Sequence, residues 1–221
     1  MDQSLGLKNI IEVMNEWYLV LRKGDVEKAK RLKLTVDLSV EEDSDDDCIS
    51  IYYSILEFWY ENSKMGDNKL NFEMNETAVY FYHYFQGVLQ FSDKRYEDCL
   101  AHFLAAENKL EAIEDDLIKA HFYRNLAEVK MALNHSLDAI RYSIKAMKIY
   151  AAEEEPCLEA MCQLIIAKCY ALQKNSVMAM NYIQKSMNLS QSAQDIHMQR
   201  KALQMYNALK GESLVAKKVS G

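Results

Sequence analysis

In the first part of the chain, apolar side chains recur every three or four positions, the spacing of one face of an α-helix. Two short signals divide this part: Gly24 is predicted to end a first helix and Asp25 to cap a second. The apolar faces of the three predicted helices are Ile10, Met14, Trp17 and Leu21; Val26, Ala29, Leu32 and Val36; and Ile49, Tyr52, Tyr53, Leu56 and Trp59. Three helices with short connections predict a small bundle.

From about residue 75 onward, the sequence repeats with a period of 40 residues. Small residues occupy three places that recur in every period. The first place holds Gly87, Ala127 and Ala167, the second holds Cys99, Ala139 and Ala179, and the third holds Ala106, Ala146 and Ser186. Because small side chains let two helices approach closely, each period predicts a pair of packed helices. This is the tetratricopeptide-repeat arrangement, with a period somewhat longer than the usual ~34 residues.

We therefore predict an all-α protein in three parts. These are a three-helix bundle in residues 1–66, a linker in residues 67–77, and a tetratricopeptide-repeat α-solenoid in residues 78–221. The solenoid has three units of 40 residues and a partial fourth, which starts at MQRKALQMYNALKG and has a short second helix in ESLVAKKVSG. Arrays of this kind normally end in a polar capping helix, so the chain looks cut short.

Composition narrows the possible functions. The chain has one proline, six glycines and a formal net charge of −7, which suits long helices and disfavours direct binding to nucleic acid or to a membrane. The five cysteines and five histidines form no metal-binding motif, so we expect no metal site. Mostly buried thiols, without a signal sequence or membrane span, predict a cytoplasmic protein.

A repeat solenoid lines its concave surface with the first helix of each unit. If the small residue is position eight of each unit, positions two, five and nine face inward. These are Phe81, Tyr84 and Val88; His121, Arg124 and Glu128; and Met161, Leu164 and Lys168. Such a surface suits an extended peptide, although ordinary packed or solvated residues are the alternative. The candidate peptide-binding residues are Tyr84, His121, Arg124, Glu128 and Lys168.

An acidic run stands directly in front of the third helix, in EEDSDDDCISIYYSILEF. One interpretation is a capped helix start, in which Ser44 and Asp47 form a capping box and Asp45 and Asp46 lie in the first turn. Residues 41–43 would then be a solvated loop. A calcium loop needs a glycine at its sixth position and a glutamate at its twelfth, and the run has neither spacing.

The residues around this run resemble the N-terminal bundle of the Rap family, the response-regulator aspartate phosphatases of Bacillus-type bacteria. The similar stretches are NEWY (Asn15 to Tyr18), AKRLK (Ala29 to Lys33), the acidic connection and YYSILEF (Tyr52 to Phe58). Repeat segments such as FYRNLAEVKMAL and AIRYSIKAMKIY are similar to Rap repeats as well. The resemblance spans essentially the whole chain, although full Rap chains carry several more repeats.

The resemblance implies that the bundle and linker bind a response regulator, with Asp46, Asp47, Tyr53 and Phe58 as candidate contacts. Some Rap proteins dephosphorylate an aspartyl-phosphate on a receiver domain, and others block a DNA-binding domain without chemistry. Short signalling peptides bind the repeat groove and make the bundle fold back onto the repeats. A quorum-sensing role is implied, without a cofactor, since any Mg would belong to the regulator.

One position departs from the phosphatase pattern. Phosphatase members have a glutamine before the third helix that can orient water, and alignment on YYSILEF puts Asp47 there as the candidate catalytic residue. An ionised carboxylate repels a phosphoryl group and cannot donate a hydrogen bond to it. We therefore expect an antagonist that acts by binding. The alternatives are an active protein-aspartate phosphatase, and a generic repeat scaffold or inactive truncated family member.

Overall fold

The computed structural model describes residues 3–43, 47–64 and 76–219. In this part of the chain, ten α-helices and one short 3-10 helix follow one another, which confirms the predicted all-α class. The α-helices are α1 (Gln3–Arg22), α2 (Val26–Asp43), α3 (Asp47–Lys64), α4 (Glu76–Ser92), α5 (Tyr96–Glu107), α6 (Asp116–Ala132), α7 (Ser136–Ala152), α8 (Pro156–Leu172), α9 (Ser176–Ser192) and α10 (Ile196–Val219). The 3-10 helix, Leu110–Ala112, follows α5.

The chain divides into two compact units, which we call the N-terminal unit (residues 1–114) and the C-terminal unit (residues 115–221). The hairpin of α4 and α5 thus belongs to the same unit as α1, α2 and α3. The boundary predicted after residue 66 and most of the predicted linker fall in residues 65–75, outside the described residues.

The turn between α1 and α2 forms as the sequence predicts. Gly24 has a φ of +71°, a left-handed conformation that costs little without a side chain. Asp25 caps α2, since its Oδ1 accepts a hydrogen bond from the backbone N–H of Lys28 at 3.0 Å.

The connection between α2 and α3 is shorter than expected. The prediction of a solvated loop at residues 41–43 is wrong, because α2 continues through Asp43 and α3 begins at Asp47. Glutamate is a good helix former, so the two glutamates at the start of the acidic run prolong α2. The capping roles predicted for Ser44, Asp45 and Asp46 lie outside the described residues.

Aromatic side chains join the three N-terminal helices to α4. The ring of Tyr52 in α3 stacks against Phe81 and Phe85 of α4, with centroids 5.8 and 5.4 Å away. Tyr18 of α1 stacks on Tyr82 of α4 at 4.7 Å. Tyr52 and Phe81 are both fully buried, so these contacts form the core of the N-terminal unit.

The nine small residues of the repeat are all buried, which confirms their predicted place between packed helices. The turns follow the same period. Lys94, Asn134 and Lys174 end the first helix of each unit with φ of 60°, 63° and 59°. Glu154 and Gln194 end second helices with φ of 57° and 56°. These are left-handed helix ends built without glycine, and they explain how a chain with few glycines makes regular turns.

The last helix differs from the prediction. A helix followed by a short second helix was expected after residue 197, but α10 runs unbroken from Ile196 to Val219. Gly211, where the break was expected, lies inside α10, and a Cβ added to it would meet no atom within 4 Å. A glycine weakens a helix by only about 1 kcal/mol, which is too little to end it.

Four of the five cysteines are buried, as predicted, and Cys157 is half-buried. Burial raises the pKa of Cys99 and of Cys162 to about 12. Both therefore remain unreactive thiols at neutral pH. No helix in the described ranges is both long and apolar enough to span a membrane.

Gly87 is a point of close approach between α4 and α5. A Cβ added to Gly87 would lie 2.5 Å from Cδ1 and Cε1 of Phe103, a ring that is 1% exposed. The equivalent pairs in the next two units are Ala127 with Ser143 and Ala167 with Ile183. The unit with the largest side chain at this second position, Phe103, is thus the one that has glycine at the first. The two positions therefore compensate each other in size.

We predict that Gly87→Ala lowers the free energy of unfolding by about 1–2 kcal/mol, because overpacking outweighs the gain in helix propensity. In a Phe103→Ile background, the same change should be neutral or stabilising. Urea unfolding of the four chains measures both effects. Gly211→Ala is the control, and it should stabilise slightly because no atom obstructs the new methyl group. An equal loss in both backgrounds would contradict the size compensation.

Candidate functional site

The outer face of α3 carries an apolar stripe. Ser50, Ile51, Ser54, Ile55 and Phe58 line a surface depression of about 380 Å³, and Phe58 is 60% exposed. Their spacing places them on the side of α3 opposite to its buried residues. We call these five residues the α3 stripe. Exposed apolar patches bordered by polar residues commonly mark protein-binding sites.

The outer face of α2 is apolar as well. Leu34 and Leu38 lie one turn apart and are 58% and 72% exposed. They directly follow Lys33 and Asp37, two α2 residues of a polar cluster that links α2 to α3. The bundle therefore exposes apolar side chains on both helices that flank this cluster.

The polar cluster consists of Lys33 and Asp37 of α2 with Tyr53 and Glu57 of α3. The ammonium group of Lys33 lies 2.9 Å from Asp37 Oδ1 and 2.8 Å from Glu57 Oε1. It also donates to the hydroxyl of Tyr53 at 3.2 Å. The Tyr53 hydroxyl lies 2.7 Å from Asp37 Oδ1 and 3.2 Å from Glu57 Oε1, and its single proton favours the shorter contact.

The protonation states of the polar cluster suit it to hold α2 and α3 together. Burial alone would lower the pKa of Lys33, but hydrogen bonds to Glu57 and Asp37 outweigh burial and raise it. Burial, followed by the hydrogen bond to Asp37, raises the pKa of Tyr53 to about 12. At neutral pH, Lys33 is thus charged and Tyr53 is neutral. The hydroxyl of Tyr53 cannot act as a general base in this state.

The structure separates the four candidate regulator contacts. Phe58 lies on the surface in the α3 stripe, whereas Tyr53 belongs to the polar cluster. Asp46 lies outside the described residues. Asp47 is the first residue of α3, and its side chain also lies outside the described part. Their binding and catalytic roles remain predictions.

Sequence reasoning missed most of the α3 stripe and the polar cluster. One signal was present, since Lys33 with Asp37 and Tyr53 with Glu57 are both spaced four residues apart on their helices. Nothing in that spacing indicates that the two pairs meet across α2 and α3. The residues that were not singled out from the sequence are Lys33, Leu34, Asp37, Leu38, Ser50, Ile51, Ser54, Ile55 and Glu57.

The candidate peptide-binding residues are placed differently from one another. In the N-terminal unit, Tyr84 is 6% exposed and packs on Tyr80 and Phe103, with ring centroids 5.8 and 6.0 Å away. In the C-terminal unit, His121 points back towards α7, where its Nδ1 lies 2.9 Å from the hydroxyl of Tyr150. Tyr84 and His121 therefore contribute to the packing between the helices of their own hairpins.

Arg124 has neutral partners in the C-terminal unit. It donates to Met161 Sδ at 3.8 Å and to Asn125 Oδ1 at 3.2 Å. This brings together two predicted inward positions of neighbouring repeats. Glu128, one turn further along α6, is half-buried.

Lys168 is exposed at the edge of a largely apolar depression in the same unit. The depression has a volume of about 550 Å³ and lies between α6, α8 and α10. Its other lining residues are Met131, Ala132, Asn134, Ala171, Leu172, Met205 and Leu209. Within the described residues, no three or more His, Cys, Asp or Glu side chains converge as metal ligands.

Comparisons with known proteins identify similar chains. Residues 5–62 match the family model described as response regulator aspartate phosphatase H, N terminal. Response regulator aspartate phosphatase A of Bacillus subtilis (strain 168) is 23% identical to the chain over 210 residues. The N-terminal part of the chain is thus similar to the Rap family of response-regulator aspartate phosphatases. The match to phosphatase A covers 86% of this chain and 56% of the relative, so the chain spans just over half the length of that protein.

Solved structures share the fold of the chain. The crystal structure of aspartyl phosphate phosphatase F from Bacillus subtilis superimposes with a TM-score of 0.85 at 18% identity, covering 96% of this chain and 61% of that one. The Rap conjugation gene regulator of the plasmid pLS20, in complex with the Phr* peptide, gives 0.81 at 14% identity, covering 93% and 60%. At these identities, the likeness establishes the fold alone.

We predict that Lys33→Met lowers the free energy of unfolding of the chain by about 1–3 kcal/mol, because Asp37 and Glu57 lose their shared charged partner. The matched control is Lys28→Met. Lys28 pairs with Glu16 at 2.8 Å, but both side chains are about half exposed, at 48% and 50%. That change should cost at most about 1 kcal/mol. Urea unfolding measures the free energy of unfolding of both variants. Equal losses would mean that the polar cluster stabilises the chain no more than an ordinary surface ion pair does.

Proposed function

We propose that this chain is a Rap-type protein that antagonises a bacterial response regulator by binding it through the three-helix bundle. The observation that carries the proposal is the α3 stripe, in which the exposed ring of Phe58 lies beside two isoleucines and two serines on the outer face of α3. Aromatic residues at the centre of a contact often supply much of the binding energy. We assign this role to Phe58, with Leu34 and Leu38 as further contacts on α2.

The polar cluster supports the proposal by fixing α3 relative to α2. Lys33 bridges Asp37 and Glu57, and Tyr53 donates to Asp37, so the two helices are tied together beside the α3 stripe. A surface that is ordered before the partner arrives loses less conformational entropy on binding. Tyr53 thus contributes to regulator binding mainly by positioning.

Two features favour binding over hydrolysis. No glutamine occurs in residues 41–58, so no amide is available at the place of the family glutamine. The neighbouring polar cluster is committed to its own hydrogen bonds and supplies no free base. An active aspartate phosphatase remains the second candidate because the matching family model and phosphatase A are named for that activity.

The repeats are proposed as the part that senses a short signalling peptide. The structure of the pLS20 Rap regulator is a complex with the Phr* peptide, and this motivates the assignment. In the C-terminal unit, the depression beside Lys168 has apolar walls and one cationic side chain at its edge. Arg124 contributes a second cation whose hydrogen-bond partners, Met161 and Asn125, are neutral. Acidic groups on a peptide would suit both cations, Lys168 and Arg124.

Because response regulators act inside the cell, the proposal also implies a cytoplasmic protein.

We predict that Phe58→Ala weakens binding of a cognate response regulator by at least about 30-fold, because a buried aromatic anchor is lost from the interface. The free energy of unfolding should hardly change, since Phe58 is largely exposed in the free chain. A panel of receiver and output domains, measured by titration calorimetry, first identifies the partner.

Leu137→Ala is the matched control for this experiment. Leu137 is 77% exposed on α7, so the substitution removes a similar apolar side chain from the C-terminal unit. It should leave binding unchanged. Equal affinity of the wild-type and Phe58→Ala chains would overturn the assignment of the α3 stripe. If no domain of the panel binds at micromolar concentration, the chain is a scaffold or an inactive family member.

We predict that the wild-type chain binds a phosphorylated receiver without accelerating phosphate release. Asp47→Gln restores an amide that can orient water, so release should become faster in that variant. Phosphate release and binding are recorded in the same samples, with Asp47→Ala as the control without either group. Fast release by the wild type that is lost in Asp47→Ala would instead establish a phosphatase that uses Asp47. Equally fast release by both chains would establish a phosphatase that does not depend on this residue.

A further inference from the structure

Two histidines meet between α4 and α5 in the N-terminal unit. Nδ1 of His83 lies 3.1 Å from Nδ1 of His102, and both side chains are half-buried. Two ring nitrogens can approach this closely only when one carries a proton and the other accepts it. The contact thus requires one imidazole with Nδ1–H and a second with a free Nδ1.

The pair lies where α1 also reaches α4. Tyr82, the neighbour of His83, stacks on Tyr18 of α1 at 4.7 Å, and its ring also contacts that of His83 at 5.1 Å. Arg22 of α1 lies over the Tyr18 ring at 5.7 Å, and its positive charge acts on His83. On α5, Asp98 lies one turn before His102 and is the charge that favours its protonation.

Proton uptake by this pair takes place in two unequal steps. The imidazole that donates through Nδ1 has a free Nε2, so a first proton can bind there and leave the hydrogen bond intact. A second proton has to bind the Nδ1 that accepts the hydrogen bond. That step breaks the contact and places two cations side by side, close to the guanidinium of Arg22.

The surroundings oppose protonation of both rings. Burial, with smaller contributions from His102 and Arg22, lowers the pKa of His83 below its ordinary value of 6.5. Burial also lowers the pKa of His102, although Asp98 acts in the opposite direction. The neutral pair is thus the state that the folded N-terminal unit prefers.

We propose that His83 and His102 form a proton-operated clamp, which joins α4 to α5 at neutral pH and opens in mild acid beside the contact between α1 and α4. Both histidines have lowered pKa values in the folded chain, so the unfolded chain binds more protons between the folded and unfolded values. The stabilisation is complete above pH 6.5 and is lost as the pH falls through the folded values.

One neighbouring contact serves as a reference because it does not follow this titration. Lys8 of α1 pairs with Asp93, in the turn after α4, at 2.7 Å, and this hydrogen bond lowers the pKa of Asp93 and raises that of Lys8. Both groups stay charged where histidines titrate. A loosening of the N-terminal unit between neutral and mildly acidic pH would therefore not come from the Lys8–Asp93 pair.

The test follows the ring signals of the five histidines by NMR in the full chain from about pH 8 to about pH 5. His83 and His102 should titrate together in two separated steps, and the later step should occur well below the ordinary value. In His83→Gln, His102 should titrate in a single step closer to that value. His121, His135 and His197 are not substituted, and their ring signals should be the same in both chains.

Urea unfolding over the same pH range measures the consequence. The folding equilibrium constant of the wild type should decrease as the pH is lowered, by up to about tenfold per pH unit for each additional proton that the unfolded chain binds. The double variant His83→Gln, His102→Gln should lack this part of the pH dependence, and the exposed control His135→Gln should retain it. Independent single-step titration of the two rings in the wild type would overturn the clamp, even if the variants failed to fold. Unchanged pH dependence in the double variant would overturn it too.

Discussion

The rest of the N-terminal unit depends on the burial of Tyr52. Its ring lies against Phe81 and Phe85 of α4, and its hydroxyl donates to Asn15 Oδ1 of α1 at 3.2 Å. One side chain thus connects α3 to two other helices and removes a large aromatic surface from water. Because residues on an α-helix keep fixed angles around its axis, burying Tyr52 also fixes which residues of α3 face outward. The exposed position of Phe58 is a consequence of that inner contact.

The outer face of α3 combines an exposed apolar side chain, Phe58, with neighbouring charges that are already paired. Exposed apolar surface gains free energy when a partner covers it, whereas the charges beside it are already neutralised by one another. The Lys33 ammonium group satisfies two carboxylates, and the Tyr53 hydroxyl remains protonated at neutral pH. The side chains that the structure describes on this face therefore form a shaped and ordered surface.

Most of the fold was predictable because it rests on local periodicity. The apolar spacing of three and four located α1 to α3, and the 40-residue recurrence of small residues located the helix pairs of the repeats. The end of α2 and the continuity of α10 were predicted wrongly. In both places, a turn-like composition was taken as a break, while the helical hydrogen bonds of neighbouring residues continue through it. A single glycine or a run of acids changes helix stability by too little to overcome that continuity.

The candidate site was less predictable, because its parts come together only in three dimensions. Counting positions from the small residue treated the inward face of the repeats as open, yet Phe81, Tyr84 and Leu164 are buried. Neighbouring helices cover these side chains, and a one-dimensional count cannot include that cover. The Lys33–Asp37–Tyr53–Glu57 cluster has the same origin, since two ordinary pairs on separate helices become one network when α2 packs against α3.

Size compensation within the repeats follows the same reasoning. The period identifies the places where small residues occur, but it does not reveal why one unit needs glycine where the next two have alanine. The reason lies across the helix pair, where Phe103 occupies the space that Ser143 and Ile183 leave free in their own units. Repeat units can therefore diverge in sequence while keeping one backbone, provided that facing positions change together.

The same tolerance applies to the His83–His102 contact, because the equivalent positions of the next unit carry Tyr123 and Tyr142, whose rings stack at 6.1 Å. One backbone arrangement thus supports a titrating contact in the first unit and an uncharged aromatic contact in the second.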